Sequence, residues 1–229
     1  MELTGADRRL VDLSHSIESG MTTYPGLAAP VVTDFWSRES TRGRYADGTT
    51  FQMGRIEMVA NTGTYLDAPF HRFGEGADVA SLPLEKLADL PGLLVDATAR
   101  RDRGIGESYF AGKGLRGRAV LVRTGWDAHW RTPRYGEGHP FLTRGAAELL
   151  VREGAALVGI DSLNIDDAAD GARPAHTLLL GAGIPIVEHL RGLGDLPATG
   201  FLFSAVPAPV RGMGSFPVRA FAVISNPGP

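Results

Sequence analysis

Residues 119–124 (AVLVRT) hold four apolar side chains in a row before an arginine and a threonine. A strand on a half-solvated sheet alternates apolar and polar positions, whereas an unbroken run requires apolar surroundings on both faces. The same signature recurs on either side, at 92–97 (GLLVDA), 156–160 (ALVGI), 184–187 (IPIV), 200–206 (GFLFSAV) and 218–224 (VRAFAVI), with 54–60 (GRIEMVA) earlier in the chain. These runs predict a central sheet covered on both faces. Helical spacing is rarer and falls at 84–88, 143–153 and 176–182. The second of these opens on Thr143, a capping residue, and closes before Gly154. Strands outnumber helices, so the fold class is α/β with a mixed central sheet.

Composition narrows the partners. The 229 residues, 43% hydrophobic and 21% charged, suffice for one large domain over 1–229 with a substantial core, and are few for two. A formal net charge of -3 without any long run of like charge points away from nucleic acid and toward a small-molecule substrate. No apolar run reaches the roughly 18 residues of a membrane span, and the N-terminal stretch MELTGADRRLVDLSHS has no apolar segment of the secretory kind. A cytoplasmic protein without a membrane partner is expected. With no cysteine, disulfides and thiolate metal sites are excluded, so any metal is held by nitrogen and oxygen.

Residues 61–71 (NTGTYLDAPFH) carry the densest chemistry. Pro69 fixes one torsion and biases its predecessor toward an extended form, so Asp67 and His71 project from a stiff loop. A structural loop with Asp67 as a cap and His71 in solvent fits those residues equally well. A second cluster, 161–170 (DSLNIDDAAD), places four acids after a strand, and Pro174-Ala175-His176 follows it. Glu188 ends an apolar run, where a carboxylate needs a partner to offset desolvation. Trp36 and Trp126 are candidates for an aromatic substrate contact, although large aromatics more often serve a core. His15, His129, His139 and His189 read as structural or solvated, and Thr62, Gly63 and Thr64 as loop-formers.

The chain resembles the cyclase family of metal-dependent hydrolases, which includes bacterial kynurenine formamidase and isatin hydrolase. The family loop, His-x-Gly-Thr-His-x-Asp-x-Pro-x-His, aligns without a gap to NTGTYLDAPFH. Further matches are residues 11–15 (VDLSH), 20–26 (GMTTYPG), 121–126 (LVRTGW), 138–140 (GHP), 159–162 (GIDS), 174–176 (PAH) and 217–220 (PVRA). The resemblance implies a swivelling β/β/α domain, a homodimer or homotetramer with N-terminal residues such as Trp36 near a neighbour's site, and a divalent metal activating water against an amide or lactam carbonyl. It places Asp67 and His71 on retained loop positions, and His176 and Glu188 on the family's late histidine and glutamate. Asn61 and Tyr65 stand where the family has metal-binding histidines. An amide oxygen is a poor ligand for zinc-like ions, and a phenol must lose a proton to bind well.

Three readings stay open. One zinc or manganese ion is held by Asp67, His71, His176 and Glu188, with Asn61 toward the substrate and Tyr65 donating to a developing oxyanion. Alternatively no metal is used, and Tyr65, His176 and Glu188 perform acid–base chemistry for a dehydration or ring closure. In the third the pocket only binds a ligand, as a non-catalytic relic. The first is preferred because four ligand-type residues remain.

Overall fold

The computed structural model describes residues 8–225; residues 1–7, which open the stretch read for a secretion signal, and 226–229 lie outside the described residues. Among the described residues, thirteen strands form three sheets. In chain order they are β1 (Arg8–Asp12), β2 (Val31–Trp36), β3 (Met53–Glu57), β4 (Tyr65–Asp67), β5 (Leu90–Asp96), β6 (Gly104–Ile105) and β7 (Ala119–Arg123). They continue with β8 (Phe141–Leu142), β9 (Leu157–Ile160), β10 (Ile186–Glu188), β11 (Phe201–Ser204), β12 (Ser215–Pro217) and β13 (Phe221–Ser225). Three α-helices accompany them: α1 (Arg38–Thr41), α2 (Arg144–Glu153) and α3 (Pro174–Gly181).

Nine strands make the main sheet, in the order β1-β13-β11-β5-β7-β9-β10-β4-β12. Its middle, β5-β7-β9-β10, is parallel, and both wings are antiparallel. The mixed α/β class is therefore as the sequence indicates. Alternation within β7 shows why its apolar run is unbroken. Val120 and Val122 face the layer of α2 and α3, packing with Val158, Ile160, Leu150 and Leu179, whereas Leu121 joins Leu66, Leu157, Val187 and Phe203 on the opposite face. Both faces of the parallel strands are thus buried.

Helix α2 has the anticipated ends. Thr143 accepts from the Ala146 N–H at 3.2 Å, and Gly154 adopts φ 76° at the C-terminus. Helix α3 begins two residues before His176, because Pro174 is pre-set for the first helical position. The 84–88 segment is a single 3-10 turn at Leu84–Lys86.

One sequence expectation needs correction. The run at 54–60 does not enter the covered sheet; it yields β3, which among the described residues pairs only with β2, and every residue of β3 is exposed. Apolar content alone cannot tell which layer will cover a strand. The β2–β3 ribbon consequently turns Val31, Val32, Phe35, Met53 and Ile56 to solvent. No helix among the described residues is long and apolar enough to cross a membrane.

Candidate active site

Strand register builds the centre of the site. In β4, Tyr65 and Asp67 point to one face while Leu66 between them enters the core. Pairing with β10 sets Tyr65 opposite Glu188, and pairing with β12 sets Asp67 opposite Ser215. Each functional side chain thereby gains a cross-strand partner. The Tyr65 hydroxyl donates to Glu188 Oε2 at 2.5 Å, and the Ser215 hydroxyl donates to Asp67 Oδ1.

The preceding loop is fixed by the residues read as loop-formers. Gly63 takes φ 68°, and its N–H donates to the Thr23 hydroxyl at 3.2 Å. Thr62 donates to the Val59 carbonyl at 2.7 Å and Thr64 to the His189 carbonyl at 2.6 Å. At the other end, Gly214 lies against His71: a Cβ there would stand 2.5 Å from the His71 Cα. That close approach lets Ser215 reach His71 Nδ1 at 3.0 Å.

From the other side of the chain, Asp166 accepts from the Ala175 and His176 N–H groups at 2.6 and 3.0 Å, binding the start of α3. Its Oδ2 also meets His176 Nδ1 at 2.7 Å. The ring is thereby oriented with Nε2 toward the sheet, 3.6 Å from Asp67 Oδ2 and 3.7 Å from Glu188 Oε1. His71 Nδ1 lies 3.8 Å from Asp67 Oδ1. Asp67, His71 and His176 each offer one donor atom, and the three atoms lie within 4.8 Å of one another. Asp67 Oδ2 is buried with no hydrogen-bond partner. An orphaned carboxylate oxygen beside imidazole nitrogens, one backed by a second carboxylate, is the chemistry of a divalent-metal set of the zinc or manganese kind. The residues fit such an ion.

Glu188 is committed differently from the ligand role that the first of the three readings gives it. Oε2 accepts from Tyr65, and Oε1 accepts from the Ile165 N–H at 2.6 Å. Asn61 directs its amide nitrogen to Asp67 Oδ1 at 3.3 Å and to Ser215 Oγ at 3.2 Å, so it acts as a donor to the carboxylate.

Electrostatics separate the two carboxylates. Burial alone would raise Asp67, but His176, His71 and Ser215 outweigh it and leave the group lowered. Burial raises Glu188 to about 7; His176 opposes this rise and the Asp67 charge adds to it. Burial depresses His176, yet the Asp166 contact, with Asp67 and Glu188 beside it, prevails and raises the imidazole to about 10. Burial and the adjoining Glu188 and Asp67 charges hold the Tyr65 phenol well above its ordinary value, so it stays protonated.

These groups floor a cavity of about 320 Å³ whose wall includes Asn61, Tyr65, His71, His176 and Glu188. Trp126 and Trp36 are not on that wall. Trp126 is buried against Tyr135 and Leu163 and donates to the Tyr135 carbonyl at 3.0 Å. Trp36 sits on the exposed ribbon with the Arg44 guanidinium 5.0 Å from its ring. Sequence reasoning missed Ser215, Asn164, Tyr24, Arg72 and Arg173, and it left Asp166 undistinguished among four acids. The spacing from Asp166 to Pro174-Ala175-His176 was the one available signal, a carboxylate placed to cap the helix that carries the histidine. His189, read as structural or solvated, is not solvated but fully buried beside Tyr65, with ring centroids 5.1 Å apart, and burial depresses it to about 3.

The family model named Cyclase matches residues 11–167. The chain belongs to the cyclase family of metal-dependent hydrolases. It is 27% identical over 212 residues to kynurenine formamidase of Bacillus cereus, covering 92% of this chain and 95% of the relative. Isatin hydrolase A from Labrenzia aggregata superposes with a TM-score of 0.82 at 25% identity, over 96% of this chain and 95% of that one. A structure described as a potential metal-dependent hydrolase with cyclase activity superposes with a TM-score of 0.78 at 27% identity, over 96% and 100%.

Proposed function

We propose that this cyclase-family protein hydrolyses an amide, lactam or related carbonyl bond of a small molecule with the help of one divalent metal. The observation that carries the reading is the unpartnered, buried Asp67 Oδ2, 3.6 Å from His176 Nε2 and grouped with His71. Kynurenine formamidase and isatin hydrolase among the relatives support the reaction class. A bound divalent ion supplies Lewis acidity toward the carbonyl and lowers the pKa of water. Asp67, His71 and His176 are the residues that would hold it.

The chain's own groups do the rest. Asp166 keeps His176 in one orientation, His176, His71 and Ser215 keep Asp67 anionic, and Ser215 and Asn61 occupy its Oδ1, leaving Oδ2 open. Tyr65 and Glu188 form a proton-holding pair on the cavity wall. With Glu188 near 7, the carboxyl gains a proton around neutrality and donates toward the phenol oxygen, freeing the Tyr65 O–H to face a substrate oxygen. The experiment is elemental analysis of protein purified without added metal, joined to amide and lactam hydrolysis before and after chelation. A stoichiometric ion whose removal stops hydrolysis is expected; hydrolysis unaffected by thorough chelation overturns the reading.

A second reading, a metal-independent dehydratase or cyclase, is favoured by the closed Tyr65–Glu188 pair and the donor role of Asn61. It predicts turnover of a hydroxy substrate in metal-free protein. We also propose a cytoplasmic homo-oligomer; the apolar ribbon of β2 and β3, which buries neither face within the chain, supports the oligomer.

A further inference from the structure

Two arginines stand on the wall of the same cavity, Arg72 directly after His71 and Arg173 three residues before His176. Arg103, Arg123, Arg131 and Arg219 each meet a carboxylate at 2.7–2.9 Å. Arg72 and Arg173 have no such partner among the described residues. The Arg173 Nη1 donates only to neutral oxygens, the Asp167 carbonyl at 3.2 Å and Asn164 Oδ1 at 3.4 Å, while the Asp167 carboxylate is taken by Arg103 at 2.8 Å. The Arg72 Nε donates to the Thr177 hydroxyl at 3.3 Å, and its guanidinium lies 5.6 Å from the Phe73 ring.

Arg173 is held there at a conformational cost. Its φ of 46° is in the left-handed region, which a long side chain rarely adopts, immediately before the proline that starts α3. Tyr24 and Leu27 give the same cavity an aromatic and an aliphatic surface. The floor belongs to the Asp67, His71 and His176 set, whereas the wall carries the two arginine cations, the groups matched to a negative group on a ligand.

We propose that the substrate is an arylcarboxylic acid or similar apolar acid, its carboxylate received by Arg72 and Arg173 while its reacting carbonyl lies toward Asp67 and Tyr65. This rests on the reading of the cavity as the active site. Guanidinium donors engage carboxylates through two parallel hydrogen bonds and so fix orientation as well as charge.

The probes are 2-formamidobenzoate and its methyl ester, alike except for the charge, with binding measured by calorimetry on the intact protein. The acid should bind at least about ten-fold more tightly than the ester, and the preference should vanish in Arg72→Gln/Arg173→Asn while ester affinity is kept. Asn is chosen at 173 because it tolerates the left-handed conformation; ester binding and an unchanged melting temperature report that the variant is folded. Equal affinities in the wild type, no acid binding in the millimolar range, or a preference that survives in the double variant would overturn the inference. Tighter acid binding without hydrolysis of either probe upholds it, and counts separately against the hydrolase reading.

Discussion

Asp67 and Glu188 are both fully buried, and each places an oxygen within 3.7 Å of the same nitrogen, His176 Nε2. Their surroundings nevertheless push them in opposite directions. Asp67 accepts from Ser215 and Asn61, has two imidazole nitrogens within 3.8 Å, and stays anionic with one oxygen left open. Glu188 faces a phenol and one backbone N–H, sits beside the Asp67 charge, and is raised to about 7. One carboxylate is arranged to receive a cation and the other to take up a proton. When two carboxyls share a site, environments that push their pKa values apart divide their roles.

The largest test of that division is the pair Asp67→Asn and Glu188→Gln. Asp67→Asn should abolish stoichiometric metal and lower turnover on the order of a thousand-fold. Glu188→Gln should retain the metal by elemental analysis while changing the pH profile of turnover. Equal metal loss in both variants would erase the distinction. Next comes Tyr65→Phe, expected to cost roughly ten- to a thousand-fold in kcat with the ring's packing kept. Full turnover in that variant would reduce Tyr65 to a packing role.

The pH dependence sharpens the Asp67 side. His176 titrates at about 10 in the metal-free protein against an ordinary value of 6.5, and a ligand nitrogen must be neutral. Metal affinity should therefore rise with pH, by about ten-fold per unit between 7 and 9 if one proton is released. The same shift has the opposite sign for stability without metal: the contribution of protonated His176 is complete below 6.5 and lost as pH rises through about 10. Chelated protein should accordingly melt lower at pH 10 than at pH 7, and a flat affinity profile would remove His176 from the ligand set. The smallest effect is expected from Asp166→Asn, which loosens the His176 ring without removing a donor; metal affinity should fall by about ten- to a hundred-fold. Isothermal titration with zinc or manganese measures it.

The sheet class, both ends of helix α2 and the two stretches that carry the site are legible in the order of residues alone. Each of these is local: an unbroken apolar run, a capping threonine with a terminal glycine, and a loop motif that aligns residue by residue. Which side chains meet depends instead on how distant strands pair. Ser215 lies in a segment without any chemical signature and joins Asp67 because β12 pairs with β4 in one register; a one-residue slip would turn it to the other face. The same pairing logic set Glu188 against Tyr65, where the preferred reading of the residues places it among metal ligands. The β2–β3 ribbon was misread for the complementary reason, since apolar composition records a need for cover without naming what supplies it. Trp126 went to a satellite core and the unpaired Arg72 and Arg173 to the cavity wall, because the direction of a side chain depends on contacts between segments distant in the chain.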